Sequence, residues 1–102
     1  MNMTARTIDR EGLALLAKKY IWWKSPEDAV GQPERVIAQV MNIGDFEDIQ
    51  RIEALAGTEM LARVLTQAEI GQFTPRSWSY WHYRLGIADI DEVPVLPSRR
   101  LA

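Results

Sequence analysis

Phe73-Thr-Pro-Arg-Ser-Trp-Ser-Tyr-Trp-His-Tyr-Arg-Leu-Gly86 holds two of the four Trp, two of the three Tyr, one of the two Phe and the single His. Thr74 suits an N-cap, Pro75 the first helical position and Gly86 a left-handed stop, so the stretch predicts a helix from Pro75 to Leu85. At ~100° per residue, Trp78, Trp81, His82 and Leu85 share one face, and Arg76, Tyr80, Tyr83 and Arg84 the opposite one. The first is a packing face, expected to meet Trp22 or Trp23 in the core, because a small domain rarely leaves so much aromatic surface wet. The second joins apolar bodies to cationic or hydroxylic tips, as interface hot spots do, which makes Arg76, Tyr80, Tyr83 and Arg84 candidate partner-binding residues. Cover by the chain's own residues 87–96 is the competing use of that face.

Around this stretch, 102 residues with 47% hydrophobic and 25% charged side chains describe one soluble-type globular domain with a single core. The absence of cysteine excludes disulfides and thiolate metal sites and is compatible with a reducing compartment. No apolar run has signal-peptide character or approaches the ~20 residues of a membrane span, so the expected location is cytoplasmic. The net charge of −2 divides into +3 over residues 1–24, −6 over 25–72 and +1 over 73–102. An acidic middle disfavours a broad phosphate-binding surface, since each phosphate contact needs a cation.

Residues 1–8 lack periodicity and read as a loose arm, and a helical domain over 9–86 follows. Asp9 is a candidate cap. Leu13, Leu16, Ala17 and Tyr20 recur at helical spacing from about Arg10 to Trp23, with Leu15 and Trp22 as a second apolar row. Ser25-Pro26-Glu27-Asp28 starts a short helix interrupted by Gly31 and Pro33. Pro33 opens the next, whose stripe Val36, Ile37, Val40 and Met41 ends near Gly44. Asp45 restarts the pattern with Asp48 as a short-armed analogue of the capping box, and Phe46, Ile49, Ile52 and Ala56 share a face. Gly57 ends that helix, Thr58 caps another, and Met60, Leu61, Val64, Leu65 and Ala68 carry it to Gly71. Five or six short helices and no useful strand alternation make the fold class all-α. From Ile87 to residue 102, Pro94, Pro97 and Arg99-Arg100 read as an extended tail, too apolar at Ile87, Ile90, Val93, Val95 and Leu96 for a purely solvated linker.

The chemistry of sites is sparse. A metal site on His82, the only histidine, would need carboxylates, and none has helical spacing to it; no cofactor motif occurs. Ser79 lies three residues before His82, but no acid between Ile70 and Ala88 orients the ring, so no catalytic residues are assigned. The clusters Glu27-Asp28 and Asp45, Glu47, Asp48 sit where helix starts favour negative charge. Arg76 followed by five residues and His82 resembles the spacing of the HEPN group of helical ribonucleases. On a regular helix, however, those positions lie ~9 Å apart along the axis and ~240° around it. Residues 45–69 could form a helix-turn-helix at Gly57-Thr58, although the second helix offers only Arg63 as a cation, against Glu59 and Glu69.

Two patches, Lys19-Tyr-Ile-Trp-Trp-Lys-Ser-Pro-Glu27 and the stretch 73–86, together with Arg35-Val-Ile-Ala-Gln-Val-Met-Asn-Ile-Gly44, resemble a short bacterial family. Its members often lie beside genes for abortive-infection-type nucleotidyltransferase toxins. The resemblance implies an antitoxin-like or accessory role and carries no catalytic residues to transfer. The resulting expectation is a non-enzymatic interaction protein with a protein partner, in monomeric or homodimeric form. A DNA-binding autoregulator and a ribonuclease using Arg76 and His82 are the alternatives.

Overall fold

The structure, a computed structural model, describes residues 10–89 and 92–97. Among them are five α-helices and no strand: α1 Arg10–Tyr20, α2 Pro26–Val30, α3 Pro33–Ile43, α4 Phe46–Thr66 and α5 Pro75–Arg84. The all-α expectation is met. The arm at 1–8, the cap at Asp9, and Ile90 and Arg99-Arg100 of the tail lie outside the described residues.

The helix packed against each of the other four is α3, not α5. Its sequence explains why: Val36, Ile37, Ala38, Val40 and Met41 are all buried, an apolar arc too wide for one neighbour to cover. Pro33 occupies the first turn, where a missing N–H costs no helical bond. At the other end, a Cβ on Gly44 would strike the Val40 carbonyl oxygen. Glycine therefore lets the chain leave α3 and enter α4 after two residues.

Helix α1 buries Leu13, Leu16, Ala17 and Tyr20, as its spacing predicts, but stops at Tyr20 rather than running to Trp23. Lys24 N–H bonds to the Ile21 carbonyl in a turn, and Ser25 begins α2 with its hydroxyl accepting from Asp28 N–H at 3.1 Å. The second apolar row is not buried. Leu15 is 69% exposed, because the buried residues of α1, Leu13, Leu16, Ala17 and Tyr20, lie on its other side, and Trp22 and Trp23, 74% and 56% exposed, lie in the turn beyond the helix.

In α4 the start Asp45 caps through its carboxylate, which accepts from Asp48 N–H at 2.9 Å. The inward register is Asp48, Ile52 and Ala56, one turn apart, with Ile49 half-buried. Phe46, expected on that face, is 72% exposed, because it lies two positions and hence ~200° around the helix from Asp48, which heads the inward row. At Gly57 the backbone takes φ 82° and ψ 158°, a combination essentially confined to glycine, and two helical segments meet there at a kink. The second segment buries Leu61, Val64 and Leu65 and ends at Thr66, short of Gly71.

Helix α5 has the expected frame. Thr74 Oγ1 accepts from Ser77 N–H at 3.2 Å, Pro75 occupies the first turn, and Gly86 has φ 69°. Trp78, Trp81 and His82 are buried. Their neighbours are not Trp22 and Trp23, as expected from burial alone, but Phe73, Met41 and the tail. The Phe73 and Trp78 rings lie 6.0 Å apart, Trp81 Nε1–H donates to the Met41 carbonyl at 2.8 Å, and Trp78 Nε1–H donates to the Pro94 carbonyl at 2.7 Å. Val93 and Leu96 rest on the same core.

Candidate partner-binding groove

Helix α5 and its cap residue Thr74 are fastened to the end of α3 by three bonds that involve side chains, in addition to packing. Thr74 N–H donates to Asn42 Oδ1 at 3.0 Å, Ser77 Oγ–H to the Asn42 carbonyl at 2.9 Å and Trp81 Nε1–H to the Met41 carbonyl at 2.8 Å. The last two occupy the Asn42 and Met41 main-chain carbonyls, which the last turn of α3 leaves without helical partners, and the first uses the Asn42 side-chain oxygen. They also set the azimuth of α5, so that the face opposite Trp78 and Trp81 points outward beside the α3–α4 junction.

Between that face and the junction runs an open groove of about 470 Å3, whose walls include Ile43, Gly44, Ile49, Arg76 and Tyr80. Ile43 is 56% exposed and Tyr80 44%, and no tail residue among those described lines the groove. Of the four residues singled out from sequence, the structure brings Arg76 and Tyr80 together in this groove. Arg84 lies one turn further along the same stripe. Tyr83 is exposed without lining the groove.

Arg84 is already engaged. Its Nε donates to Glu53 Oε2 at 2.6 Å and its Nη2 to Oε1 at 2.9 Å, a two-pronged pair that ties α5 to α4. The guanidinium also lies 6.0 Å from the Tyr80 ring centre and 5.9 Å from that of Trp81. Bonding to Glu53 raises the pKa of Arg84 above its ordinary value. Its role is therefore to hold Tyr80 and the α4–α5 contact in place. Tyr80 stands edge-on to Trp81, with centroids 5.2 Å apart, so its ring is fixed from two sides.

His82 belongs to the other side of the helix. Its residue is 1% exposed, Nδ1 lies 2.7 Å from the Trp78 carbonyl and the ring meets Trp78 edge-on. Arg76 is exposed at the groove, so within one chain the two residues of the ribonuclease-like spacing do not share a cavity. Among the described residues no group of His, Asp or Glu is arranged to hold a metal ion, and no helix is long and apolar enough to cross a membrane.

Sequence reasoning passed over a second polar centre. Asp48, read as part of a helix start, is 2% exposed, and its carboxylate accepts from Lys19 Nζ at 2.7 Å, Tyr20 Oη at 2.6 Å and Arg51 Nη1 at 2.8 Å. Bonding to Lys19, then to Tyr20, lowers its pKa, while burial opposes the shift. Lys19 also reaches Asp45 at 3.0 Å, and its own pKa is raised chiefly by Asp48. All these groups satisfy one another, which makes the centre a clamp between α1 and the start of α4. Of the groove walls, Ile49 was legible only as a core position and Ile43 was not singled out, since nothing local shows where α5 docks against the end of α3.

Comparison with protein-family models, with curated proteins and with solved structures returns no match.

Proposed function

We propose that this chain is a non-enzymatic helical interaction protein, an antitoxin-like or accessory partner of a nucleotidyltransferase-type toxin, and that the partner seats in the groove beside α5. The observation that carries this reading is the pairing of Arg76 and Tyr80 with exposed Ile43 in one open groove. An aromatic held edge-on by Trp81, an arginine and an aliphatic wall form the combination from which hot spots are built. The surface is ready without refolding, since α5 is held by Asn42, Met41 and Glu53. The resemblance of the 19–27, 35–44 and 73–86 patches to a family encoded beside such toxins supplies the partner class.

The test is co-expression of the chain with a nucleotidyltransferase-type toxin of the class that the resembled family accompanies, followed by size-exclusion chromatography and titration of the purified pair. A stoichiometric complex that weakens at least tenfold in the Arg76→Ala/Tyr80→Ala double variant is expected. Independent elution of the two proteins at micromolar concentration overturns the assignment of partner, and a complex insensitive to the double variant overturns the assignment of groove.

A further inference from the structure

Between the 21–24 turn, α3 and the loop at Gly71 and Gln72 lies a half-open cavity of about 160 Å3, lined by none of the groove residues. A volume of ~150 Å3 is enough to admit a benzene ring. Its floor is apolar, made by Ile21, Ala29 and Val36, while Trp23 stands at the wall. That indole is set in place by Trp22, whose ring meets it at 5.6 Å and 88°. The pair thus has an orientation although both rings are more than half exposed.

The charge around the cavity is more informative than its size. Lys24 and Arg35 line it and no carboxylate does, although residues 25–72 as a whole carry a net charge of −6. Lys24 makes no ion pair among the described residues. Arg35 has one, a 3.5 Å contact with Glu69 in which both side chains are more than half exposed, weak enough for an entering anion to replace. The amides are partly fixed: Gln39 Nε2 donates to the Tyr20 carbonyl at 3.4 Å, and Gln72 Oε1 accepts from Glu69 N–H at 2.8 Å. Gln32, at the N-cap position of α3, makes no capping bond, which leaves its amide available at the rim.

An apolar floor of single-ring size, an indole at the wall and two lining cations, of which Arg35 has only the weak contact with Glu69 outside the lining, select a flat apolar body carrying one negative group. We propose that this cavity is a binding site for a small single-ring aromatic carboxylate, its ring against Trp23 and its carboxylate between Lys24 and Arg35. The site is independent of the groove beside α5.

The test uses the full chain, 15N-labelled, titrated with benzoate and separately with benzylamine as the cation of matching shape. Benzoate is expected to shift the Trp23 indole N–H and the Gly71 and Gln72 amides along one saturating curve. The dissociation constant should be on the order of a millimolar, as befits so few ligand atoms. Benzylamine should produce no such curve. Lys24→Gln, a change at an exposed position, should weaken benzoate at least about fivefold, and Trp23→Ala should abolish saturation. Absence of a saturating shift in the native chain, equal binding of benzylamine, or an unchanged constant in Lys24→Gln overturns the proposal. Should Trp23→Ala not fold, the Lys24→Gln and benzylamine results still decide it.

Discussion

The Tyr20 hydroxyl donates to Asp48 Oδ2 at 2.6 Å and accepts from the Asp45 backbone N–H at 3.2 Å. In a capping box, the side chain three residues after the cap would reach back to that N–H itself. Asp48 is too short and turns inward, and a phenol from α1 bridges the two positions. Tyr20→Phe therefore removes both a donor to a buried carboxylate and the acceptor for the Asp45 amide. It should lower stability by about 1 to 3 kcal/mol in urea unfolding, the range for orphaning buried polar groups. A change under about 0.5 kcal/mol would show that water serves both groups equally well.

The same cluster predicts how stability depends on pH. Asp48, bonded by Lys19 and Tyr20, and Asp45, bonded by the Asp48 amide and then Lys19, both have folded pKa values below the ordinary 3.8. A lowered carboxylate pKa contributes stability that is full above 3.8 and is lost as pH falls through the folded value. Tyr20 is shifted the other way, above 10.0, first by burial and then by its bond to Asp48. Its contribution is full below 10.0 and is lost as pH rises through the folded value. Melting temperature should be level across neutral pH and fall on both sides. Asp48→Asn should flatten the acid limb and Tyr20→Phe the alkaline one. Unchanged limbs in both variants would assign the pH dependence to other groups.

The four tryptophans divide into two that the fold needs and two that it does not. Trp81 is fully buried and donates to the Met41 carbonyl, so Trp81→Ala should cost roughly 3 to 5 kcal/mol through lost burial and the cavity left behind. Trp22→Ala should change thermal stability by less than ~0.5 kcal/mol, because that ring is 74% exposed. Equal losses at the two positions would contradict the placement of the 21–24 turn.

The division also marks where the sequence was legible. Caps and stops are local, so Ser25-Pro26, Pro33, Asp45, Thr74-Pro75 and Gly86 all lie at the boundaries they predict. The two faces of α5 followed from its own period. Register against other helices is not local. Trp22 and Phe46 are apolar residues next to helix ends, where a shift of one position turns burial into exposure, and Asp48 became a core residue because Tyr20 and Lys19 reach it from α1, 28 and 29 residues away in sequence. Arg76 and Tyr80 were found as a surface, but the groove beside them depends on Asn42 holding α5 to α3, a contact 32 residues apart in sequence for Thr74.

Gly57 offers a check on the long fourth helix. With φ 82° and ψ 158° it occupies a region that other residues reach only under strain, so Gly57→Ala should destabilise by about 1 to 3 kcal/mol. If the kink were dispensable, alanine would instead straighten the helix and raise stability through its higher helix propensity. Denaturant melts of the single variant separate the two outcomes by sign.

Arg84 and Arg76 lie on one stripe of α5 yet should respond differently to truncation. Arg84→Ala breaks a two-pronged bond to Glu53 between two helices, and with the arginine 40% and the glutamate 23% exposed the loss should be about 1 kcal/mol. Arg76 is exposed with no ion pair among the described residues, so Arg76→Ala should leave melting within ~0.5 kcal/mol of the parent. Tyr80 is half-exposed against Trp81, and its truncation should lie between the two. Binding should follow another order. If the partner seats in the groove, Arg76 and Tyr80 supply its anchors, each removing about 2 kcal/mol when truncated, so their double variant should weaken the complex by well over tenfold while remaining folded. Arg84→Ala should weaken it less, and only as far as Tyr80 loosens. Calorimetric titration of the three variants against the nucleotidyltransferase, with melting curves of each alone, gives both orders. A complex that tracks stability, lost most in Arg84→Ala and least in Arg76→Ala, would mean that the α4–α5 clamp matters to the partner and the groove does not.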